Sequence, residues 1–245
     1  MANNTAYSSA YEGDLAAITA AISATPALVA APDEDERTLL HWASSGGSAP
    51  VAQALLAANA EVNAADEEGW TSLHIASAGG KADVVQLLLD AGADAFAQTS
   101  NLALPLHLSA GKGRADCCKL LVESCAGPGN LARMLAAGDK HGNAPLHRAA
   151  ASGKDAVVAV LLGAGAAASA ANSDGDRPLH LAVADQWIGA ALQLVEAAPE
   201  QLQAANASML TPLDIADQRV KDNGEVGPQA KPAKQLAQQL RTYVR

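Results

Sequence analysis

Gly69-Trp70-Thr71-Ser72-Leu73-His74-Ile75-Ala76-Ser77 (GWTSLHIAS) decides the fold, because its TSLHIAS portion returns five times in altered form. The variants are TLLHWAS (38–44), LPLHLSA (104–110), APLHRAA (144–150), RPLHLAV (177–183) and TPLDIAD (211–217). Their anchors, His41, His74, His107, His147, His180 and Asp214, are separated by 33, 33, 40, 33 and 34 residues. Self-similarity at a fixed period of this size marks a stack of small units, each burying its apolar face against its neighbours.

The surroundings of each motif agree with that reading. After it come glycine turns (Gly46-Gly47, Gly79-Gly80, Gly153) and then a second apolar segment: Val51–Leu56, Val84–Leu89, Cys117–Val122, Val157–Leu162 and Ala190–Val195. Thr38, Thr71 and Thr211 stand where a helix N-cap is wanted. Pro105, Pro145, Pro178 and Pro212 stand at the first helical position, where no N–H is needed. Before the motifs lie the turn-forming clusters Asp66–Gly69, Asp139–Gly142 and Asp174-Gly175, which read as tips of β-hairpin fingers. Helix, turn, helix and finger at a 33-residue period is the ankyrin repeat.

The expectation is therefore one domain, 1–245, an all-α solenoid of seven ankyrin repeats near 7–33, 34–66, 67–99, 100–139, 140–172, 173–206 and 207–245. The first repeat lacks the histidine but spaces Tyr11, Leu15, Ile18 and Ile22 helically around Gly13. The 40-residue step predicts a surface loop from an insertion near 125–131, and residues 217–231 read as a mobile polar segment. Leu236, Leu240 and Val244 predict a closing, amphipathic C-terminal capping helix.

Composition narrows the function. With 49% apolar residues but only 3% aromatic, the core must be Ala, Leu and Val at close helix spacing. A net charge of -10 opposes nucleic-acid binding, which relies on neutralising phosphates. Residues 1–10 lack the basic start and apolar run of a signal peptide, and no segment approaches a membrane span. Cys117, Cys118 and Cys125 are too few and too close for a disulfide framework, which fits reduced thiols in cytoplasm and nucleus.

No catalytic residue, metal ligand set or cofactor is expected. Five of the six histidines share one repeat position, where an imidazole can link neighbouring repeats by hydrogen bonds. The cysteines lack zinc-site spacing, and the glycines recur with the repeat instead of forming a phosphate cradle. The reading is a protein-binding monomer, not an enzyme.

Ankyrin binding surfaces run along finger tips and inner helices. In this register the tips are Glu34, Asp35 and Arg37, then Glu67, Glu68 and Trp70, then Lys140, His141 and Asn143, while Lys112 and Arg114 end an inner helix. Carboxylates around tryptophans in the first half and cations in the middle predict a charge-polarised groove. Trp42 fills a slot that is Ile75, Leu108 and Leu181 elsewhere, so it is either groove contact or core. Arg148 fills the same slot and needs a paired carboxylate or an exit to the groove.

RTLLHWA (37–43), GWTSLHIA (69–76) and LHRAA (146–150), in that order, resemble gankyrin and its yeast counterpart across Ala6 to about Ala216. The resemblance implies a chaperone for assembly of the 26S proteasome regulatory particle base. It would hold the C-terminal domain of one ATPase subunit through its concave face and leave when the particle is complete. The matching positions are Arg37, Trp42, Glu67, Trp70, Lys112 and Arg114. The alternative is a general ankyrin adaptor, or an inhibitor of a kinase or transcription factor, using the same groove.

Overall fold

The computed structural model describes residues 2–125, 127–222 and 230–243. Its described residues hold fifteen α-helices, seven helix pairs and one extra helix, in two compact units. The first unit lies within 1–109 and 116–126, the second within 110–115 and 127–245, so the fourth repeat is shared between them.

In the first unit the inner helices α1 (Ala2–Glu12), α3 (Leu39–Gly46) and α5 (Ser72–Gly79) pack side by side, as do the outer helices α2 (Leu15–Ala24), α4 (Ala49–Ala57) and α6 (Ala82–Asp90). The fourth repeat supplies α7 (Pro105–Lys112) and α8 (Ala115–Glu123). The second unit begins with α9 (Pro128–Ala136). It continues with the inner helices α10 (Pro145–Ala151), α12 (Pro178–Ala184) and α14 (Pro212–Asp222) and the outer helices α11 (Asp155–Gly163), α13 (Ile188–Ala197) and α15 (Ala230–Arg241).

The core repeats with the sequence. Five of the six motif leucines, Leu40, Leu73, Leu106, Leu146 and Leu179, are fully buried or nearly so, and Leu213 of the last repeat is half-buried. The outer helices α4, α6 and α11 each bury an i, i+1, i+4 triplet: Val51, Ala52 and Leu55, then Val84, Val85 and Leu88, then Val157, Val158 and Leu161. Cys117, Cys118 and Leu121 fill the same triplet in α8, so these thiols serve as small apolar groups. Burial pushes the Cys118 thiol up to about 11, and its S–H donates to Ser109 Oγ at 3.2 Å.

The histidines tie each repeat to the next. Nδ1 of His41, His74, His107, His147 and His180 accepts the backbone N–H three residues upstream, at 3.0 to 3.1 Å. That bond fixes the proton on Nε2, which donates to Trp70 O from His41, Ala103 O from His74, Asp176 O from His147 and Leu210 O from His180. Asp214, in the last repeat, keeps only the local half of the pattern, accepting the Thr211 N–H at 2.9 Å.

Three expectations change. The residues read as an insertion loop begin a helix, because Leu131, Met134 and Leu135 follow helical spacing and bury one face; Met134 is wholly inaccessible. Residues 217–222 are the end of α14, not part of a mobile segment, and 223–229 lie outside the described residues. The fingers are hydrogen-bonded turns: among the described residues no strand forms, and one bridge pairs Ala65 with Thr71. The closing helix is present as α15, the outer helix of the seventh repeat, with Leu236 and Leu240 buried; Val244 lies outside the described residues.

Candidate partner-binding face

Every finger is built on one polar residue. At Asp33, Asp66, Thr99, Asp139, Asn172 and Asn206 the backbone N–H donates to the carbonyl four residues on. The side-chain oxygen of the same residue accepts the N–H groups two and four residues on, at 2.8 to 3.3 Å. This double acceptance closes the turn without a sheet. Composition alone had marked only the aspartate clusters. The shared role of Thr99, Asn172 and Asn206 was detectable as a short polar oxygen-bearing residue at the repeat period.

Where the base is an aspartate, a second carboxylate oxygen remains, and burying it without a donor would be costly. Each of the three has found one. Asp33 Oδ2 accepts from Trp42 Nε1 at 2.8 Å, Asp66 Oδ2 from Arg37 Nε at 3.0 Å, and Asp139 Oδ2 from Arg148 Nε at 2.6 Å. Burial alone would raise the Asp139 pKa. The His141 and Asn143 amides and the Arg148 guanidinium outweigh it and hold the carboxyl below its usual value.

This accounts for the unusual residues of the two inner-helix slots. Trp42 and Arg148 each sit nine residues after their aspartate and reach back to it. Arg148 therefore takes the paired carboxylate, with its side chain 42% exposed beside an Asp139 side chain that is 0% exposed. Trp42 is half-buried, and its ring meets Tyr11 edge-on at 6.4 Å. Its N–H is used inside the fold while part of the ring stays accessible.

In the first unit, Arg37, His41, Trp42, Ser45, Trp70 and Ile75 line an open cavity of about 240 Å³. Trp70 is half-buried and lies 6.2 Å from the His74 ring. Around it Glu34, Asp35, Glu67 and Glu68 are exposed, with Arg37 4.0 Å from Asp35. The Ser100 hydroxyl donates to Glu68 at 2.7 Å. The structure thus brings three predicted positions, Arg37, Trp42 and Trp70, into one aromatic cavity, with the exposed carboxylates Glu34, Asp35, Glu67 and Glu68 on the two fingers that carry Arg37 and Trp70. In the second unit Lys112, Arg114 and Lys140 are exposed, and Arg148 packs near Gly111.

Burial lowers the pKa of the linking histidines, His74 to about 4, which keeps them neutral and bonded. Among the described residues no group of three His, Cys, Asp or Glu side chains could hold a metal ion, and no helix is long and apolar enough to cross a membrane.

Comparison with known proteins agrees with the geometry. No curated protein matches the chain. The fold is similar to the crystal structure of the human ASB11 ankyrin repeat domain, with a TM-score of 0.77 and 25% identity over 94% of this chain and 96% of that one. The family described as ankyrin repeats (3 copies) matches residues 7–99 and 92–172. With the period, the histidine ladder and the finger bases all in register, the chain belongs to the ankyrin-repeat family.

Proposed function

We propose that this chain is a non-catalytic chaperone for assembly of the 26S proteasome regulatory particle base, acting as a monomer in cytoplasm and nucleus. Its client is the C-terminal domain of a proteasomal ATPase subunit. The observation that carries this reading is the first unit's cavity, where Arg37, Trp42 and Trp70 come together on fingers that also carry the exposed carboxylates Glu34, Asp35, Glu67 and Glu68. These are also the residues in which the sequence resembles gankyrin. Partly exposed tryptophan beside arginine is the composition of interface hot spots, and the carboxylates suit a client segment rich in Lys and Arg. Lys112, Arg114, Lys140 and Arg148 in the second unit suit an acidic one. While bound, the chaperone would obstruct docking of the ATPase ring onto the proteolytic core.

The test is affinity purification from the native extract, with bound proteins identified by mass spectrometry. The intact chain is compared with a Trp70→Ala, Glu67→Lys, Lys112→Glu variant; Arg37 is left in place because it neutralises buried Asp66. Proteasomal ATPase subunits held by the intact chain and lost by the folded variant are the expected result. A kinase or transcription factor recovered instead, and lost with the same substitutions, would replace this reading by the adaptor one.

A further inference from the structure

A different edge of the second unit carries chemistry that the finger tips do not. Where each inner helix turns into its outer helix, a side chain from the following repeat lies over the turn. The Lys154 stem covers Gly113, whose Cβ position falls 2.8 Å from Lys154 Cδ. The Trp187 indole covers Gly153 so closely that a Cβ there has no room, and its Nε1–H donates to Ala151 O at 3.0 Å. Arg219 Nε donates to Ala184 O at 2.8 Å. Ala151 and Ala184 end α10 and α12, so these donors meet carbonyls that a helix C-terminus leaves unpaired.

Covering the turn does not require an aromatic ring. Lys81 does the same over Gly47 in the first unit with an aliphatic stem, as Lys154 does over Gly113. Trp187 adds a large apolar surface that remains 42% exposed after its N–H is satisfied. Lys112 and Arg114, both exposed, flank the covered Gly113. In a chain of net charge -10, this edge carries Lys112, Arg114, Lys154 and Arg219 beside the tryptophan, against three exposed carboxylates, Asp116, Asp155 and Asp185.

We propose that this turn edge is a docking surface for an acidic peptide segment of a partner protein, one with an apolar side chain among its carboxylates. Lys112, Arg114 and Lys154 take the carboxylates, and the accessible indole of Trp187 takes the apolar side chain. Opposite charge at both ends of the contact sets the register, while the tryptophan supplies most of the burial. Lys112 and Arg114 are shared with the face proposed above for the client, whereas Lys154 and Trp187 belong to this edge alone, so the test is made on those two.

The probe is a fluorescein-labelled peptide of Glu with Leu at every third position, titrated with the full chain and followed by fluorescence anisotropy. Saturable binding is expected, weakened about tenfold by Lys154→Glu and to a similar degree by Trp187→Ala. Trp187→Phe keeps a ring over Gly153 and should retain most of the affinity, which separates docking from folding; melting curves confirm that each variant is folded. Glu67→Lys with Glu68→Lys, on the first unit's finger, should leave the affinity unchanged. No binding, equal affinity in the folded Lys154→Glu and Trp187→Ala chains, or dependence on Glu67 and Glu68 would each overturn the proposal.

Discussion

The finger leading into α5 and the finger leading into α12 share one backbone and differ by one charge. Both close with an N–H to carbonyl bond of 2.9 Å, Asp66 to Trp70 and Asn172 to Asp176. Both base side chains accept two further amides at 2.8 to 3.0 Å. They part at the remaining polar atom. Asp66 Oδ2 draws Arg37 from the preceding finger, whereas Asn172 Nδ2 donates to Asn143 Oδ1 at 2.8 Å. Here the neutral base splices fingers through amides, while the charged one takes a cation, and that arginine lines the aromatic cavity. Interaction chemistry and finger closure are therefore coupled in the first case and separate in the second.

Acid should expose the charged repeat most strongly. His74, behind the α5 finger, has its pKa lowered to about 4 by burial, against 6.5 unfolded. The unfolded chain takes the proton first, so the stability is complete above pH 6.5 and is lost as pH falls toward 4, by about 3 kcal/mol. Urea unfolding between pH 7.5 and 4 measures it, and a His74→Gln chain should show a flatter profile. An unchanged profile would mean that the ladder bond does not depend on neutral imidazole.

Removing the base side chain comes next. Asp66→Ala strands the Glu68 and Trp70 amides and unpairs Arg37, at a cost of about 3 kcal/mol, against about 2 kcal/mol for Asn172→Ala, which loses no charge. Equal losses by thermal melting would remove the distinction drawn here. Converting one finger type to the other is milder: Asp139→Asn keeps the acceptor for His141 and Asn143 and loses the Arg148 ion pair, about 1 kcal/mol. At the tips, Gly175→Ala should cost about 1 kcal/mol, because φ is +72° and the new Cβ falls 2.8 Å from Ala207 N. Met209→Ala, at a tip that is 80% exposed, should change stability by less than about 0.5 kcal/mol.

Most of the architecture was legible because it is periodic. Motif leucines, outer-helix triplets and N1 prolines are local signals that a 33-residue repeat restates until chance is excluded. The helical spacing of Leu131, Met134 and Leu135 was equally legible, but glycines and a proline at 127–130 suggested a loop; the structure uses Pro128 as the first residue of α9. The end of α14 is hidden in the sequence because the turn formers Asn223, Gly224, Gly227 and Pro228 make the whole polar run from 217 read as a linker, whereas the helix continues to Asp222.

The sequence by itself determined the repeat, its paired inner and outer helices and the histidine positions that link repeats, since these follow from spacing and residue type. Only the tertiary structure decided which partners those residues take. Arg37 has Asp33, Glu34, Asp35 and Glu36 close in sequence, yet its Nε bonds Asp66, 29 residues away. Arg148 turns to Asp139, and Trp187 to Ala151. The reason is physical: a repeat fixes where each backbone lies, but the stacking offset between successive fingers and turns brings a particular donor to a particular unsatisfied oxygen.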